Sequence, residues 1–133
     1  MPFSQECECA SRIVMPRDLN SYGTLFGGKL LSWMDELAVI FAIKLTDKEC
    51  VTVRFDNVEF KKNVVVNDIL NLKASVIHVG LCHLIIQIQA YKNNFRAKDD
   101  ELVACGTVKF VALDENKKPA RISKMGACKA HTK

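Results

Sequence analysis

The stretch of sequence that decides the fold is GGKLLSWMDELAVIFAIKL, residues 27–45. Its large apolar residues recur every three or four positions, which is the spacing of one face of an α-helix. The residues at this spacing are Leu30, Met34, Leu37, Phe41 and Leu45. Apolar residues also occupy the other faces, and a helix that is apolar almost all round is a buried helix. The sequence therefore predicts a long central helix, opened by Gly27 and Gly28.

The segments on either side of this helix predict a loop and strands. Residues 12–15 form a brief apolar run that stops at Pro16, which predicts a first strand. Residues 17–26 are rich in turn-forming residues and predict an ordered loop. After the helix, apolar and polar residues alternate and predict four consecutive strands, at 51–60, 70–76, 84–91 and 102–113. The polar segment from Asp114 onward predicts a mobile tail.

This order of elements predicts the fold class. A single helix buried on nearly every face needs a sheet that curls around it, so we expect an α+β fold with a curved antiparallel β-sheet wrapped around one long central helix. The 133 residues suit one domain, with a core at about 10–114 and a polar tail at 115–133. Such a sheet leaves an edge strand that invites pairing with another chain. We therefore expect a homo-oligomer with a site shared between copies.

Composition and charge exclude several classes of protein. With 49% hydrophobic and 26% charged residues, the chain is globular in composition and not disordered. The net charge of +4 is spread over scattered basic residues without an aromatic stacking platform, so we expect no nucleic-acid partner. The most apolar stretch, 30–43, is interrupted by Asp35 and Glu36 and is too short to span a bilayer. We therefore expect no membrane partner.

The cysteines and histidines predict a cytoplasmic protein without a metal site. The N-terminus has no basic or apolar region of a secretory signal. The six cysteines are therefore predicted to be free thiols, with Cys7 and Cys9 in a frayed terminus. The chain contains no Cys-x-x-Cys motif, and its three histidines, His78, His83 and His131, are not spaced as metal ligands.

Asp35 is the residue that points to chemistry. An ionised carboxylate within a buried helix is costly unless it is paired, hydrogen-bonded or used; it could also face a solvated gap or cap a neighbouring backbone group. Gly27 and Gly28 expose N–H groups at the helix N-terminus, where negative charge is favoured, and such donors would stabilise a tetrahedral oxyanion. Asn20 lies on the loop that leads into the helix. A carboxylate, an amide and N–H donors together suit hydrolysis of an activated acyl group.

A longer motif surrounds these residues. The stretch MPRDLNSYGTLFGGKLLSWMDE, residues 15–36, resembles the signature of the hotdog-fold acyl-CoA thioesterases, the acyl-CoA hydrolase family. The match continues through DNVEF at 56–60, DIL at 68–70, Gly80 and FVALD at 110–114. It covers roughly residues 12–114, and its ordered spacing is far more specific than a glycine pair alone.

The resemblance implies a fold, an assembly and residue roles. The fold is the hotdog fold, whose dimer places two sites at the subunit interface and often assembles further into a trimer of dimers. Asp35 would be the general base or nucleophile. Asn20 of the partner subunit would position the water or the thioester, and the backbone N–H of Gly28 would polarise the thioester carbonyl. The substrate would be an acyl-CoA, so coenzyme A is part of the substrate and no cofactor is required.

Further residues are expected to bind the substrate. They are Gly27, Thr24, Phe26, Thr52, Arg54, Gly80, Leu81, Cys82 and His83. The family usually has Arg or Thr followed by Ser-Ser where this chain has Leu81-Cys82-His83, in a segment that lies by the pantetheine and nucleotide in relatives. Thr52 could instead be a plain strand threonine. Basic side chains could meet the phosphates of coenzyme A or form a solvated face; they are Arg54, Lys61, Lys62, Arg121 and Lys124.

Single residues distinguish two other classes of function from a thioesterase. A non-catalytic acyl-CoA-binding or sensing module would keep the fold and the glycines but would not need Asp35. A hydroxyacyl dehydratase of the same fold needs a catalytic histidine near the helix, and no histidine lies between residues 1 and 77. The sequence therefore favours a thioesterase and keeps the binding module as the alternative.

Overall fold

The computed structural model describes residues 7–93 and 100–123. Its elements follow in the order β1 (Cys7–Ile13), α1 (Gly27–Thr46), β2 (Glu49–Phe60), β3 (Ile69–Val79), β4 (His83–Asn93) and β5 (Glu101–Leu113). A short 3-10 turn at Pro16–Asp18 precedes the loop that leads into α1. Helix α1 ends at Asp47, which adopts a left-handed conformation, as is common where a helix stops.

The strands form one antiparallel sheet in the order β1-β3-β4-β5-β2. The strands β1 and β2 are therefore its two edges. Strand β2 follows α1 in the chain but pairs with β5, so the helix crosses the sheet face between the two edges. The predicted α+β class, with a single helix on an antiparallel sheet, is confirmed and is that of the hotdog fold.

The core lies between α1 and one face of the sheet. Along β4 every second residue is buried, and the same alternation holds through most of β3 and β5, as expected where one sheet face packs and the other does not. Leu84, Ile86 and Ile88 of β4 are fully buried, and Met34, Ala38 and Ala42 of α1 are as well. No helix in the described residues is long and apolar enough to cross a membrane.

The prediction that α1 is buried on nearly every face is wrong for one side. Ile40 and Ile43 are 41% and 43% exposed, because one sheet covers only one side of a helix. Two surface ion pairs join this outer side of α1 to β1. Arg12 lies 2.9 Å from Glu36, and Lys44 lies 2.8 Å from Glu8.

Two boundary predictions are also wrong. The first strand spans Cys7–Ile13 and not residues 12–15, and Cys7 and Cys9 lie in register with β3, because backbone pairing at an edge does not require apolar side chains. The expected mobile tail is wrong for residues 114–123. In that segment the N–H of Ile122 donates to Leu81 at 2.8 Å, and Ile122 is only 9% exposed.

Candidate active site

Asp35 and Thr52 form a direct contact between helix and sheet. Thr52 lies on the edge strand β2, and its hydroxyl Oγ1 donates a hydrogen bond of 2.8 Å to Oδ1 of Asp35. Asp35 is partly buried in the third turn of α1, while Thr52 is exposed. The bond holds one carboxylate oxygen in place, so the carboxylate has a fixed orientation at the edge of the sheet.

Replacing Thr52 by valine tests this orientation. Valine keeps the branched shape but removes the donor, and a hydrogen bond to a charged group contributes about 1.5–3 kcal/mol. We expect the kcat for thioester hydrolysis to fall at least about tenfold, with an unchanged melting temperature, because the side chain is exposed. The Thr52→Ser variant keeps the hydroxyl and is expected to retain most of the activity. Equal kcat values in the two variants would show that the contact does not matter.

The N-terminus of α1 presents unpaired donors. The N–H groups of Lys29 and Leu30 donate to the carbonyl of Phe26 at 2.9 and 3.2 Å. The N–H groups of Gly27 and Gly28 come before these bonds, and the first turn of a helix leaves such groups without acceptors within the helix. Among the described residues no side chain caps this end, and the first turn of the helix holds no acidic residue. The positive end of the helix is therefore left to an anion or oxyanion.

The two glycines keep space open beside these donors. A Cβ added to Gly28 would lie 3.3 Å from the ring of Phe26, and one added to Gly27 would lie 3.7 Å from the ring of Phe60. Neither glycine has a positive φ, so the backbone of this chain does not itself require glycine there. What the glycines provide is close access to the N–H groups.

Asn20 organises the loop before the helix. Its Oδ1 accepts the N–H groups of Tyr22 and Thr24 at 2.8 and 3.2 Å, and its Nδ2 donates to Oγ1 of Thr24 at 3.0 Å. These bonds occupy both lone pairs of the side-chain carbonyl and one of the two amide hydrogens. The second amide hydrogen of Asn20 is not used by these three bonds.

Asp18 fixes this loop to the helix. Its carboxylate is 5% exposed, accepts the N–H of Met15 at 2.9 Å and lies 3.6 Å from Nζ of Lys29. Its backbone carbonyl accepts the N–H of Phe26 at 3.0 Å. The loop that carries Asn20 is thus held at both ends by Asp18. The contacts of Asp18 with Phe26 and Lys29 fix this loop to the first turn of α1.

One chain does not bring all the predicted catalytic groups together. Gly28 and Asp35 lie seven residues apart on one helix, which is about 10 Å along its axis. That separation is too large for both to act on the same carbonyl. Among the described residues, no hydrogen bond joins Asn20 to Asp35. A single chain therefore holds two separate halves of the predicted site.

The turn between β3 and β4 holds the predicted residues Gly80, Leu81, Cys82 and His83. The N–H of Gly80 donates to the carbonyl of His83 at 2.7 Å. A Cβ added to Gly80 would lie 2.2 Å from a ring carbon of His83, so the imidazole covers this glycine. Leu81 is 63% exposed, and Cys82 is partly buried.

The electrostatics of this turn favour a neutral imidazole. The rings of His78 and His83 lie 5.4 Å apart. Burial lowers the pKa of His83 from its usual value, and electrostatic interactions with Lys109 and His78 lower it further. Neutral His83 can donate or accept a hydrogen bond but carries no charge for a phosphate.

His83 lies on the other side of the sheet from Asp35. His83 pairs with Val111, whereas Thr52 pairs with Phe110, the neighbouring residue on β5. Successive side chains of a strand point to opposite faces, so His83 and Thr52 face opposite ways. Within one chain the structure does not bring the His83 side chain to the Asp35 carboxylate.

The predicted basic residues mostly form ion pairs at the surface. Arg54 pairs with Asp56 at 2.5 Å, Lys61 with Glu59 at 2.8 Å, and Lys62 with Glu101 at 3.4 Å. The Glu59–Lys61 contact lowers the pKa of Glu59 and raises the pKa of Lys61. Arg121 is exposed, and Lys124 lies outside the described residues. Their contact with coenzyme A stays a prediction.

A cleft that the sequence did not predict lies beside the helix N-terminus. The cleft has a volume of about 160 Å³ and is lined by Thr24, Leu25, Gly27, Leu30, Phe60, Lys62, Asn63 and Val64. The sequence predicts Phe60 as one position of an alternating strand and as the last residue of the DNVEF match, yet it is 53% exposed beside Gly27. An aromatic residue at the last position of a strand, next to two lysines, was the available signal.

Comparison with known proteins places this chain in a family. The family model described as the thioesterase superfamily matches residues 22–94. The uncharacterized acyl-CoA thioester hydrolase YkhA of Bacillus subtilis is 36% identical over 112 residues, which cover 84% of this chain and 65% of that protein. The acyl-CoA thioester hydrolase YciA of Escherichia coli is 31% identical over 114 residues, which cover 80% of this chain and 83% of YciA.

Solved structures agree with the sequence relatives. An acyl-CoA hydrolase from Staphylococcus aureus, solved in complex with butyryl coenzyme A and coenzyme A, has a TM-score of 0.85 and 32% identity; the match covers 90% of this chain and 73% of that one. An apo-hexameric acyl-CoA thioesterase has a TM-score of 0.86 and 33% identity, with 92% and 78% covered. The chain belongs to the thioesterase superfamily, among its acyl-CoA thioester hydrolases.

Proposed function

We propose that this chain hydrolyses acyl-CoA thioesters to a free acid and coenzyme A, at a site built from two copies of the chain. The observation that carries this proposal is the arrangement of α1. It bears a carboxylate oriented by Thr52 and, about 10 Å away along the same helix, unpaired N–H donors at Gly27 and Gly28. Each half requires a second chain to complete it.

The proposed reaction uses both halves. Asp35 removes a proton from a water molecule, and the water oxygen attacks the thioester carbonyl carbon. The carbonyl oxygen becomes an oxyanion, which accepts a hydrogen bond from the N–H of Gly28 of the partner subunit. The tetrahedral intermediate then expels the coenzyme A thiolate, which takes up the proton, and a carboxylic acid remains. Asn20 of the partner subunit positions the water or the thioester through its amide.

Variants of a solved relative support these roles. The Staphylococcus aureus enzyme has been solved with an aspartate, an asparagine or a threonine each replaced by alanine. In that chain the asparagine precedes the aspartate by 15 residues, and the threonine follows the aspartate by 17. The same separations hold between Asn20, Asp35 and Thr52 here.

The edge strand β2 supports the proposed assembly. Thr52 lies on this edge, and its neighbours Val51 and Val53 are 40% and 53% exposed. An open edge with apolar side chains invites pairing with another chain. Several solved relatives are hexameric, and we propose a homodimer through β2, further assembled as a trimer of dimers. Pairing at β2 would bring the partner subunit to Asp35.

Three further features belong to the same proposal. Coenzyme A enters as part of the substrate, with the turn at 80–83 and the basic residues Arg54, Lys61, Lys62 and Arg121 as candidate contacts. No separate cofactor is required, because the carboxylate, the amide and the backbone donors supply the chemistry. We place the enzyme in the cytoplasm, where thiols stay reduced, and Cys7, Cys9, Cys50, Cys82 and Cys105 are free thiols.

The proposed function is tested by the release of coenzyme A. We expect the purified protein to release free thiol from a panel of acyl-CoA esters of different chain length, followed with a thiol reagent. Binding of acyl-CoA without any release would instead identify the non-catalytic binding module. A stable complex and turnover are distinguished by measuring calorimetric binding of a non-hydrolysable acyl-CoA thioether alongside the release assay.

A further inference from the structure

Two exposed phenyl rings flank the unpaired donors at the start of α1. Phe26 is 57% exposed and Phe60 is 53% exposed. The position of a Cβ on Gly28 lies 3.3 Å from the ring of Phe26, and that on Gly27 lies 3.7 Å from Cζ of Phe60. Large apolar side chains left exposed beside polar donors are typical of sites for ligands with both polar and apolar parts.

The cleft beside Phe60 has an apolar floor. Leu25, Leu30 and Val64 line it and are 8%, 4% and 3% exposed. The N–H of Leu25 donates to the carbonyl of Val64 at 2.7 Å, so this floor is held by the core and the backbone. Phe60 is the one large apolar lining residue that is exposed. A change at Phe60 can alter the cleft without disturbing its floor.

We propose that this cleft binds the acyl chain of the substrate and that Phe60 determines which chain lengths fit. The inference rests on the proposed function. Gly27 lines the cleft, so an acyl chain whose carbonyl oxygen lies on the helix N–H donors enters the cleft directly. The apolar side chains of Leu25, Leu30, Phe60 and Val64 suit an alkyl chain. The polar residues Thr24, Lys62 and Asn63 also line the cleft, so the chain-length dependence measured below is what separates an acyl chain from the pantetheine arm.

The experiment replaces Phe60 once by a smaller and once by a larger side chain. Phe60→Ala removes the ring and extends the apolar cleft. Each additional methylene of the acyl chain that becomes buried raises kcat/KM about fourfold. We expect the ratio of kcat/KM for dodecanoyl-CoA to that for butanoyl-CoA to rise at least about tenfold in Phe60→Ala. The same ratio is expected to fall in Phe60→Trp, because the larger ring fills the cleft. Ile77→Ala, at a residue 53% exposed on β3 and outside the cleft, is the matched control with an unchanged ratio.

The outcomes separate this inference from the proposed function. Turnover with the same chain-length ratio in both Phe60 variants would overturn the acyl cleft while leaving the hydrolase intact. A rise of KM by the same factor for every ester in Phe60→Ala would assign the cleft to the pantetheine arm and also overturn the inference. Absence of turnover on any ester in the wild-type protein would overturn the proposed function itself. Circular dichroism of each variant establishes that the compared proteins are folded.

Discussion

Replacement of Asp35 by alanine is expected to lower kcat for acyl-CoA hydrolysis by at least about 10²-fold, because a positioned general base contributes 10²–10⁴-fold. Thr52 donates a hydrogen bond to this carboxylate, which lies on a partly buried face of α1. The measurement is thiol release at saturating acyl-CoA. Asp35→Asn is expected to show a similar loss, since an amide cannot accept the proton of water.

The neighbouring carboxylate provides the control. Glu36 lies next to Asp35 on α1, but it is exposed and pairs with Arg12 at the surface. Glu36→Gln is expected to keep wild-type kcat, since an exposed ion pair contributes at most about 1 kcal/mol to stability and has no role in the reaction. Full activity in Asp35→Ala, or an equal loss in Glu36→Gln, would overturn the assignment of the base.

Mixing two inactive variants is expected to restore activity. After subunit exchange between equal amounts of Asp35→Ala and Asn20→Ala, we expect about a quarter of the wild-type activity per chain. Random exchange makes half of the dimers mixed, and each mixed dimer has one site with both functional residues and one with neither. Each variant alone is expected to retain about 1% of the activity or less. Thiol release before and after exchange measures the gain.

A double variant controls for exchange itself. Asp35→Ala mixed with a chain that carries both Asp35→Ala and Asn20→Ala cannot form an intact site, so no gain is expected. Native mass spectrometry establishes that mixed dimers are present. If mixed dimers form but the activity stays at the level of the separate variants, the two groups do not come from different chains.

The parts of the fold that the sequence predicted are those in which apolar residues recur with a regular local spacing. The apolar spacing of α1 and the alternation of β4 arise within single elements, so neighbouring residues reveal them. A similar reason makes two parts of the site predictable: the loop from Asn20 to Gly28 and the carboxylate of Asp35. Glycines, amides and a charge in an apolar run differ from the composition around them.

The parts that could not be predicted depend on contacts distant in sequence. The pairing of Cys7 and Cys9 with β3 joins residues more than 60 positions apart, and the sequence of β1 lacks apolar alternation. Thr52 reaches Asp35 across 17 residues, and nothing local separates it from a plain strand threonine. The exposure of Phe60 depends on which strand lies at the edge of the sheet, a property of the whole topology.

The packing of His83 over Gly80 limits how this enzyme can vary. The imidazole occupies the volume that any side chain at position 80 would need. The two positions are therefore coupled: any side chain at position 80 requires that the ring at position 83 turn away or be replaced by a smaller residue.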